Sequence, residues 1–108
     1  MDEILEQCKI LNQLIMDSKE YKNYVYALGS IKTNEELYNS LMDFKKRYAD
    51  VMHYTEGNPY DEIYRLTNDN DDLLHNSTVN EYLRAESAFS KLVRSVINEI
   101  SDGFSVDI

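Results

Sequence analysis

The scarcity of glycine and proline is the feature that most constrains how this chain can fold. Only 3 glycines and 1 proline occur among its 108 residues. Strand-rich folds require a turn about every 8–12 residues, and such turns are usually marked by Gly, Pro, Asn or Asp. Because these markers are too sparse here, the sequence predicts an all-α fold of long helices, and its length is that of one domain.

Apolar residues recur at three- and four-residue steps along five segments, and this spacing places them on one face of a helix. The first segment runs from Asp2 to Asp17. The second begins at Ser18, a suitable N-cap, and ends between Gly29 and Lys32. We therefore expect about five helices in a single domain over residues 1–103, followed by a frayed tail over residues 104–108.

Start and stop signals bound the remaining three helices. Thr33–Glu36 and Thr78–Glu81 each fit a capping box, in which the hydroxyl and the carboxylate satisfy backbone N–H groups reciprocally. Gly57 is a stop signal, and Asn58–Pro59 predicts the next start, because the missing N–H of proline costs nothing at the first helical position. Gly103 is expected to end the last helix.

The third and fifth predicted helices are long, at about 22 and 25 residues, or roughly 33 and 38 Å. Short connections predict antiparallel neighbours and hence an antiparallel helical bundle. The long helices carry more apolar surface than the others can cover, so we expect a homo-oligomer, a dimer or larger, to complete the fold. The expected oligomer interface comprises apolar and aromatic positions of these two helices: Leu41, Phe44, Tyr48, Tyr82, Phe89, Val93, Val96 and Ile100.

The chain is strongly acidic, with 20 Asp and Glu against 11 Lys and Arg and a net charge of −9. Such a balance repels phosphate backbones, so no direct nucleic-acid binding is expected. Two interpretations of the charge stay open, namely solubility and the attraction of a basic partner. The polar run Asn68–Asp72 predicts a fourth helix that is exposed or irregular at its centre. The expected partner-binding residues are Tyr60, Tyr64, Asp69, Asp71 and Asp72.

No arrangement in the sequence indicates catalysis or metal binding. Cys8 lies on the apolar face of the first helix, so we expect it to be buried and inert. His53 and His75 lack further ligands at metal spacing and are expected at helix ends. The run from Asn68 fails as a calcium loop, because its sixth position is Leu73 rather than glycine. The sequence therefore predicts no catalytic, cofactor-binding or metal site, no cofactor and no enzymatic activity.

The cysteine count, the N-terminus and the lengths of the apolar runs predict where in the cell the protein is found. A single cysteine cannot form an internal disulfide, and the acidic start Met1–Glu3 is unlike a signal peptide. No apolar run approaches the 18 or so residues of a membrane span, so no membrane insertion is expected. Together these features predict a cytoplasmic protein.

Nine tyrosines without tryptophan are a further feature of the composition. Five of them fall on or beside apolar stripes and are expected in the core or an interface: Tyr21, Tyr24, Tyr38, Tyr48 and Tyr82. The other four are candidates for exposed binding positions: Tyr26, Tyr54, Tyr60 and Tyr64. Glu86 interrupts the last apolar stripe, either as an edge residue whose carboxylate reaches water or as a charge paired across an oligomer interface.

The order of these patterns resembles the YlbF/YmcA family of bacterial regulators. The resemblance is carried by the final helix, and in the N-terminal half by Ser18 with the two tyrosines that follow it and by the stripe that begins at Leu37. It spans roughly Ile4 to Ile100. The matching positions of the final helix are Val79, Tyr82–Leu83, Ala85–Glu86, Leu92–Val93, Val96 and Ile100.

The resemblance implies a small, oligomeric, all-helical regulator that is not an enzyme. Relatives join a complex that influences competence, sporulation and biofilm formation and that works with a membrane-bound endoribonuclease in RNA processing. Possible partners are therefore family paralogues or an endoribonuclease complex. Some relatives bind iron–sulfur clusters through several cysteines, whereas this chain has Cys8 alone. It also has Asn76–Thr78 where many relatives carry a proline before the last helix.

Three functions remain open from the sequence. The first is a regulatory adaptor that binds protein partners. The second is a structural homo-oligomer without a dedicated partner, for which the long apolar helices suffice. The third is a nucleic-acid-binding regulator, supported only by the basic run Lys45–Arg47 and the tyrosines.

Overall fold

The computed structural model describes residues 2–104, which contain α-helices and no β-strand. The all-α prediction is thereby confirmed, with six helices in place of five. None of the described helices is long and apolar enough to cross a membrane. The residues 105–108 of the predicted frayed tail lie outside the described part of the chain. The helices are α1 (Asp2–Met16), α2 (Lys19–Lys32), α3 (Glu35–Tyr54), α4 (Tyr60–Asp69), α5 (Asp71–Leu74) and α6 (Ser77–Asp102).

The sixth helix arises because the predicted fourth one breaks at its polar centre. Asn70 has φ −113° and ψ 26°, which is outside the helical region, and its side-chain amide donates to the carbonyl of Leu66 at 2.8 Å. A short asparagine side chain that bonds to nearby backbone competes with the helix in this way. The irregular centre predicted for this segment is therefore confirmed, and α4 and α5 flank it.

Helix starts are set by side chains that accept backbone N–H groups. Ser18 caps α2 as predicted, since its hydroxyl accepts the N–H of Tyr21 at 3.2 Å. The two predicted capping boxes are wrong. Asn34 caps α3 by accepting the N–H of Leu37 at 3.1 Å, while the Thr33 hydroxyl donates to a carbonyl of α2. Asparagine caps at least as well as threonine, and it is already correctly placed one residue later.

At the start of α6, an asparagine again caps the helix in place of the predicted threonine. Asn76 accepts the N–H groups of both Thr78 and Val79, at 2.9 and 3.1 Å, so α6 begins two residues before the predicted box. Its end at Asp102, followed by Gly103, agrees with the prediction. Gly57 lies in the turn after α3 with φ 81°, the left-handed region that favours glycine.

The core lies where α2 packs along the first half of α6, with α3 and α5 closing over it. Ile31, Leu41 and Val79 are fully buried and come from three different helices. Each such burial stabilises the fold by about 1.5–3 kcal/mol. Ala27, Tyr82 and Phe44 complete the buried apolar residues of the described chain, and no buried side-chain polar atom there lacks a partner.

A cluster of aromatic side chains lies at the end of this core that faces the middle of α6. The rings of Tyr24 and Phe89 stack at 5.4 Å, and the Tyr21 ring meets Phe89 edge-on at 5.3 Å. Tyr24 also lies 6.0 Å from the Tyr82 ring. Such pairs add about 0.5–1.5 kcal/mol each beyond the area they bury. The cluster therefore holds the start of α2 to the middle of α6.

The molecule is extended, with axes of 51, 38 and 16 Å and a radius of gyration of 17.9 Å. A compact domain of this length has a radius of gyration of about 13 Å. Two elements lie outside the core: α1, which packs only lightly on α2 and buries none of its residues, and the end of α6. The single bundle predicted from the sequence therefore does not include α1 in this chain. Cys8, expected to be buried, is exposed for the same reason.

Candidate protein-binding surfaces

All five predicted partner-binding residues lie on α4 and α5 and are exposed. Tyr60 and Tyr64 lie one helical turn apart on α4, with 74% and 67% of their surfaces exposed. On its opposite face, half-buried Ile63 and Leu66 pack α4 against α3. A hydrogen bond of 3.2 Å from the Thr55 hydroxyl to the Glu62 carboxylate joins α4 to the preceding turn. The two tyrosines are thus large, exposed rings on an anchored helix.

The acidic residues beside them form a cleft with the start of α3. Asp69 and Asp72 line this cleft together with Glu36 of α3. From the sequence, Glu36 belongs only to a capping box, and the structure replaces that box with the Asn34 cap. An acidic residue in the first turn of a helix is a common signal, because the N-terminus favours negative charge, and by itself it points to no site. We call Glu36, Asp69, Asp71 and Asp72 the acidic patch.

The tyrosines and the acidic patch lie on different sides of α4. At 3.6 residues per turn, the inward-facing Ile63 and Leu66 separate Tyr60 and Tyr64 from Asp69. Asp69 also lines the cleft between α3 and α4, which neither tyrosine reaches. The structure therefore brings the aspartates together and the tyrosines together, as two neighbouring features and not as one cluster.

His75 adds a titratable positive charge to the acidic patch. It ends α5, as expected for a helix-end histidine, and is fully exposed. Its Nδ1 atom lies 2.8 Å from the Asp71 carbonyl and 3.1 Å from the Asp71 carboxylate. The backbone hydrogen bond first, and then the Asp71 charge, raise the pKa of His75 above its ordinary value. The net charge of the patch is therefore most negative above that pKa.

Glu86 is half-buried between α3 and α6, with 29% of its side chain exposed. Its carboxylate forms an ion pair with Lys45 of α3 and accepts the Tyr82 hydroxyl at 2.9 Å. The Lys45 ammonium also lies 5.6 Å from the centre of the Tyr82 ring, within reach of a cation–π interaction. Glu86 is thus paired within its own chain, where it joins α3 to α6.

The Tyr82 hydroxyl is strongly perturbed by this arrangement. Burial first, and then the hydrogen bond to Glu86 and its charge, raise the pKa of Tyr82 well above its ordinary value. The side chain is 97% buried, since only 3% of its surface is exposed. A neutral phenol that donates one hydrogen bond is a structural group here.

The predicted oligomer interface divides into two groups. Leu41, Phe44 and Tyr82 are buried within the chain itself, so their assignment to the interface is corrected: they belong to the core. They follow the same helical stripes as surface residues, and spacing alone does not separate the two. The remaining residues are half-buried or exposed: Tyr48, Phe89, Val93, Val96 and Ile100.

A second, apolar surface comprises α1 and the end of α6 from residue 93 onward, and we call it the arm surface. It has no buried residue. On α6, Ile97 and Ile100 keep 54% and 50% of their surfaces exposed. Phe104, just beyond the helix, is also exposed. On α1 the exposed large apolar residues are Ile4, Leu5, Ile10, Leu14 and Met16.

The tyrosines follow the division expected from the sequence, with one difference. Tyr26, Tyr54, Tyr60 and Tyr64 are exposed, and Tyr21, Tyr24 and Tyr38 are half-buried against the core. Tyr48 lies on the apolar stripe of α3 but is 41% exposed, because α3 extends past the core at that point.

Residues 2–104 bring together no group of three or more His, Cys, Asp or Glu side chains suited to a metal ion. The four exposed carboxylates of the acidic patch, which come from α3, α4 and α5, form no such group either. The lack of a cofactor stays a prediction of the sequence.

The family assignment rests on a comparison with protein-family models. Residues 4–105 match the family described as control of competence regulator ComK, YlbF/YmcA. The match covers the helices of both surfaces as well as the core. The chain matches no curated protein and no solved structure. Because the family match spans nearly its whole length, this chain belongs to the YlbF/YmcA family of competence regulators.

Proposed function

We propose that this protein is a non-enzymatic regulatory adaptor that binds protein partners in the cytoplasm. The observation that carries the proposal is the pairing of an acidic patch with two exposed tyrosines on a chain of a regulatory family. The partners that fit are family paralogues or an endoribonuclease complex. The processes that such a complex would influence are RNA processing, competence, sporulation and biofilm formation.

The acidic patch and the two tyrosines have different roles in the proposed binding. The acidic patch attracts a basic protein surface and speeds encounter, an effect that weakens as salt screens it. Tyr60 and Tyr64 then bury large amphipathic rings in the partner, as anchors of an interface do. Since these features lie on two sides of α4, the partner is expected to wrap around the helix.

RNA is not the proposed ligand of this subunit. The net charge of −9 opposes a phosphate backbone, and residues 56–81 contribute seven carboxylates against Arg65 alone. If the complex acts on RNA, another subunit is expected to hold it. A salt-dependent shift of labelled RNA by the purified protein at physiological ionic strength would contradict this part of the proposal.

Partner binding is tested by co-purification from a lysate of the source cells, followed by kinetics with the purified partner. Neutralising the patch with Asp69→Asn, Asp71→Asn and Asp72→Asn should slow association and flatten its salt dependence, with helicity unchanged. Tyr60→Ala with Tyr64→Ala should mainly speed dissociation. Binding that is indifferent to both sets of variants would remove the proposed surface.

A matched control separates local charge from net charge. Asp17→Asn, Glu81→Gln and Glu99→Gln remove the same three charges at exposed positions spread over the molecule. This control variant should leave the association rate close to that of the wild type. An equal slowing by both triple variants would mean that net charge alone, and no particular surface, governs the encounter.

We also propose that the chain self-associates. If it has no dedicated partner, its function is that of a structural homo-oligomer. The supporting observation is the arm surface, where apolar side chains such as Leu14 and Ile97 keep 63% and 54% of their surfaces exposed. Light scattering that shows a monomer at every concentration would contradict this second proposal without affecting the first.

A further inference from the structure

Exposed positions of α2 and α6 are basic in a chain that is otherwise strongly acidic. Residues 19–30 and 84–98 together have a net charge of +3, whereas the whole chain has −9. One of their two carboxylates, Glu86, is already paired with Lys45 of α3. Their basic side chains are all exposed, and none of them forms an ion pair within residues 2–104: Lys19, Lys22, Arg84, Lys91 and Arg94. These positions therefore offer positive charge to a ligand.

A groove of about 540 Å³ lies between α2 and α6, and we call it the α2–α6 groove. Ala27 of α2 and Ala85 and Ala88 of α6 line it with small side chains, which allow another chain to approach both helices closely. Tyr26 also lines it and keeps 76% of its surface exposed. The groove thus combines a shallow apolar floor with one large exposed ring.

The basic side chains border this groove along its length. Lys19 of α2 and Arg84 of α6 line it directly. Lys91 lies two helical turns after Arg84 on the same face of α6, about 10 Å further along, and lines a neighbouring hollow with Arg84. Glu20 and Glu81 line the groove as well. These two carboxylates restrict where a ligand can place its own negative charges.

A helix of a partner protein is the occupant that fits the α2–α6 groove. Residues 2–104 contain no strand whose edge could pair with an extended peptide, and a helix satisfies its own backbone groups. One apolar face of such a helix can pack on the three alanines and on Tyr26. Carboxylates beside that face can then reach Lys19, Arg84 and Lys91. A nucleic-acid strand fits less well, because Glu20 and Glu81 would repel its phosphates.

We infer that the α2–α6 groove binds an acidic amphipathic helix of a partner protein. Arg84 and Lys91 attract the helix, and Tyr26 anchors it. The groove shares no residue with the acidic patch, with Tyr60 or with Tyr64. The inference therefore goes beyond the proposed function: the chain has two docking surfaces of opposite charge, one for a basic partner and one for an acidic helix.

The first test is fluorescence anisotropy of a labelled peptide of about 14 residues, or four helical turns, with the full-length chain at physiological salt. The peptide has leucines at i, i+3, i+4 and i+7 and glutamates at the flanking positions. Saturable binding with a dissociation constant below about 1 mM is expected. A scrambled peptide of the same composition, a peptide with lysines in place of the glutamates, and a single-stranded RNA of similar length should each bind at least about tenfold more weakly.

Variants of the groove provide the second test. Arg84→Glu with Lys91→Glu should weaken peptide binding by at least about tenfold, and the control Lys9→Glu with Lys46→Glu, at exposed positions elsewhere, should not. Ala88→Glu places a charge and added bulk on the groove floor and should also weaken binding about tenfold. Ser87→Glu adds the same charge at the next exposed position, which does not line the groove, and should have a much smaller effect.

Nuclear magnetic resonance spectra of the ¹⁵N-labelled chain locate the bound peptide without any variant. Amides of residues 19–27 and 81–91 should shift on titration, and those of α4 should not. Peptide binding with these shifts supports the inference. Shifts centred elsewhere, or binding of the scrambled peptide or the RNA as tight as that of the acidic helix, overturn it. Loss of self-association in the Arg84→Glu, Lys91→Glu variant would assign the groove to a second copy and also overturn it. Each of these failures leaves the proposed function, which is tested on the acidic patch, standing.

Discussion

The two halves of this molecule differ in how completely their apolar residues are covered. In the packed half, formed by α2, α3, α5 and the first part of α6, Ile31, Leu41 and Val79 have no exposed surface. In the arm surface, residues of the same type and at the same helical spacing, such as Leu14 and Ile97, keep 63% and 54% of theirs. Helix periodicity is equally clear in both halves. It therefore identifies an apolar face and does not tell what covers that face.

The packed half also has more side-chain hydrogen bonds and ion pairs that join its helices or cap them. Side-chain caps at Ser18, Asn34 and Asn76 fix the starts of α2, α3 and α6, and the Lys45–Glu86 pair joins α3 to α6. All of these lie within or at the edge of the packed half. Among the described residues, the side-chain hydrogen bonds of α1 are both local: Gln13 donates to Asp17 at 3.0 Å, and the Ser18 hydroxyl donates to the Ile15 carbonyl. The packed half is thus defined by its own chain, and the arm surface depends on what it meets.

The largest expected effect comes from a core truncation. Leu41→Ala should lower the free energy of unfolding by about 2–5 kcal/mol, because it removes a fully buried side chain and leaves a cavity. The loss should be the same at every protein concentration. Leu5→Ala, in the arm surface, should change stability by less than about 0.5 kcal/mol in dilute solution and by more as the concentration rises. Urea unfolding at several concentrations measures both.

The comparison fails if the two variants behave alike. A large loss for Leu5→Ala at the lowest concentration would show that α1 is packed within its own chain. A concentration-dependent loss for Leu41→Ala would show that the core itself requires a second copy.

The stability of the packed half should also depend on pH, through Tyr82. The pKa of Tyr82 is raised on folding, so the folded state holds its proton more tightly than the unfolded state. Its contribution to stability is complete below the ordinary pKa near 10 and is lost as the pH rises above it, by at most about 1.4 kcal/mol per pH unit. Tyr82→Phe should flatten this fall in alkaline unfolding curves. Tyr26→Phe, at an exposed tyrosine, is the matched control.

Removing a cap should cost less. Asn76→Ala takes away the acceptor of two backbone N–H groups at the start of α6 and should destabilise the protein by about 1 kcal/mol. Thr33→Ala, at the hydroxyl expected from the sequence to cap α3, should cost less than Asn34→Ala, because Asn34 accepts the N–H of Leu37. Thermal unfolding ranks the variants. The opposite order for Thr33 and Asn34 would restore the predicted capping box.

The smallest effect is the titration of His75 beside the acidic patch. Its raised pKa reflects the Asp71 carbonyl first and the Asp71 charge second, so Asp71→Asn should lower that pKa only in part. The stabilisation from this contact is complete below the ordinary pKa near 6.5 and disappears as the pH rises through the raised one. Nuclear magnetic resonance titration of the imidazole measures the pKa. An unchanged value in Asp71→Asn would leave the carbonyl as the whole cause.

Much of this fold is readable from the sequence, and the failures have identifiable physical causes. The segment ends at Met16, Lys32 and Asp102 follow from periodicity and end signals, and the polar run around Asn70 predicts a break. The caps of α3 and α6 were misplaced because an asparagine next to a threonine competes for the same backbone N–H groups.

The candidate surfaces were predictable only in part. In the sequence, Tyr60 and Tyr64 share a weak apolar stripe with Ile63 and Leu66. The structure exposes both tyrosine rings and half-buries Ile63 and Leu66. Glu36 joins the acidic patch from another helix, and a contact between distant segments has no local signal in the sequence. Cys8 was expected to be buried because it lies on an apolar stripe, but that stripe has no cover within the chain.

The most direct measurement of the central claim is hydrogen–deuterium exchange of the full-length chain over a range of concentrations. Amides of α2, α3 and the first half of α6 should be protected at every concentration, because one chain buries that core. Amides of α1 and of residues 93–102 should gain protection as the concentration rises and the arm surfaces pair. Protection of α1 that is strong at the lowest concentration and unchanged at the highest would contradict the account.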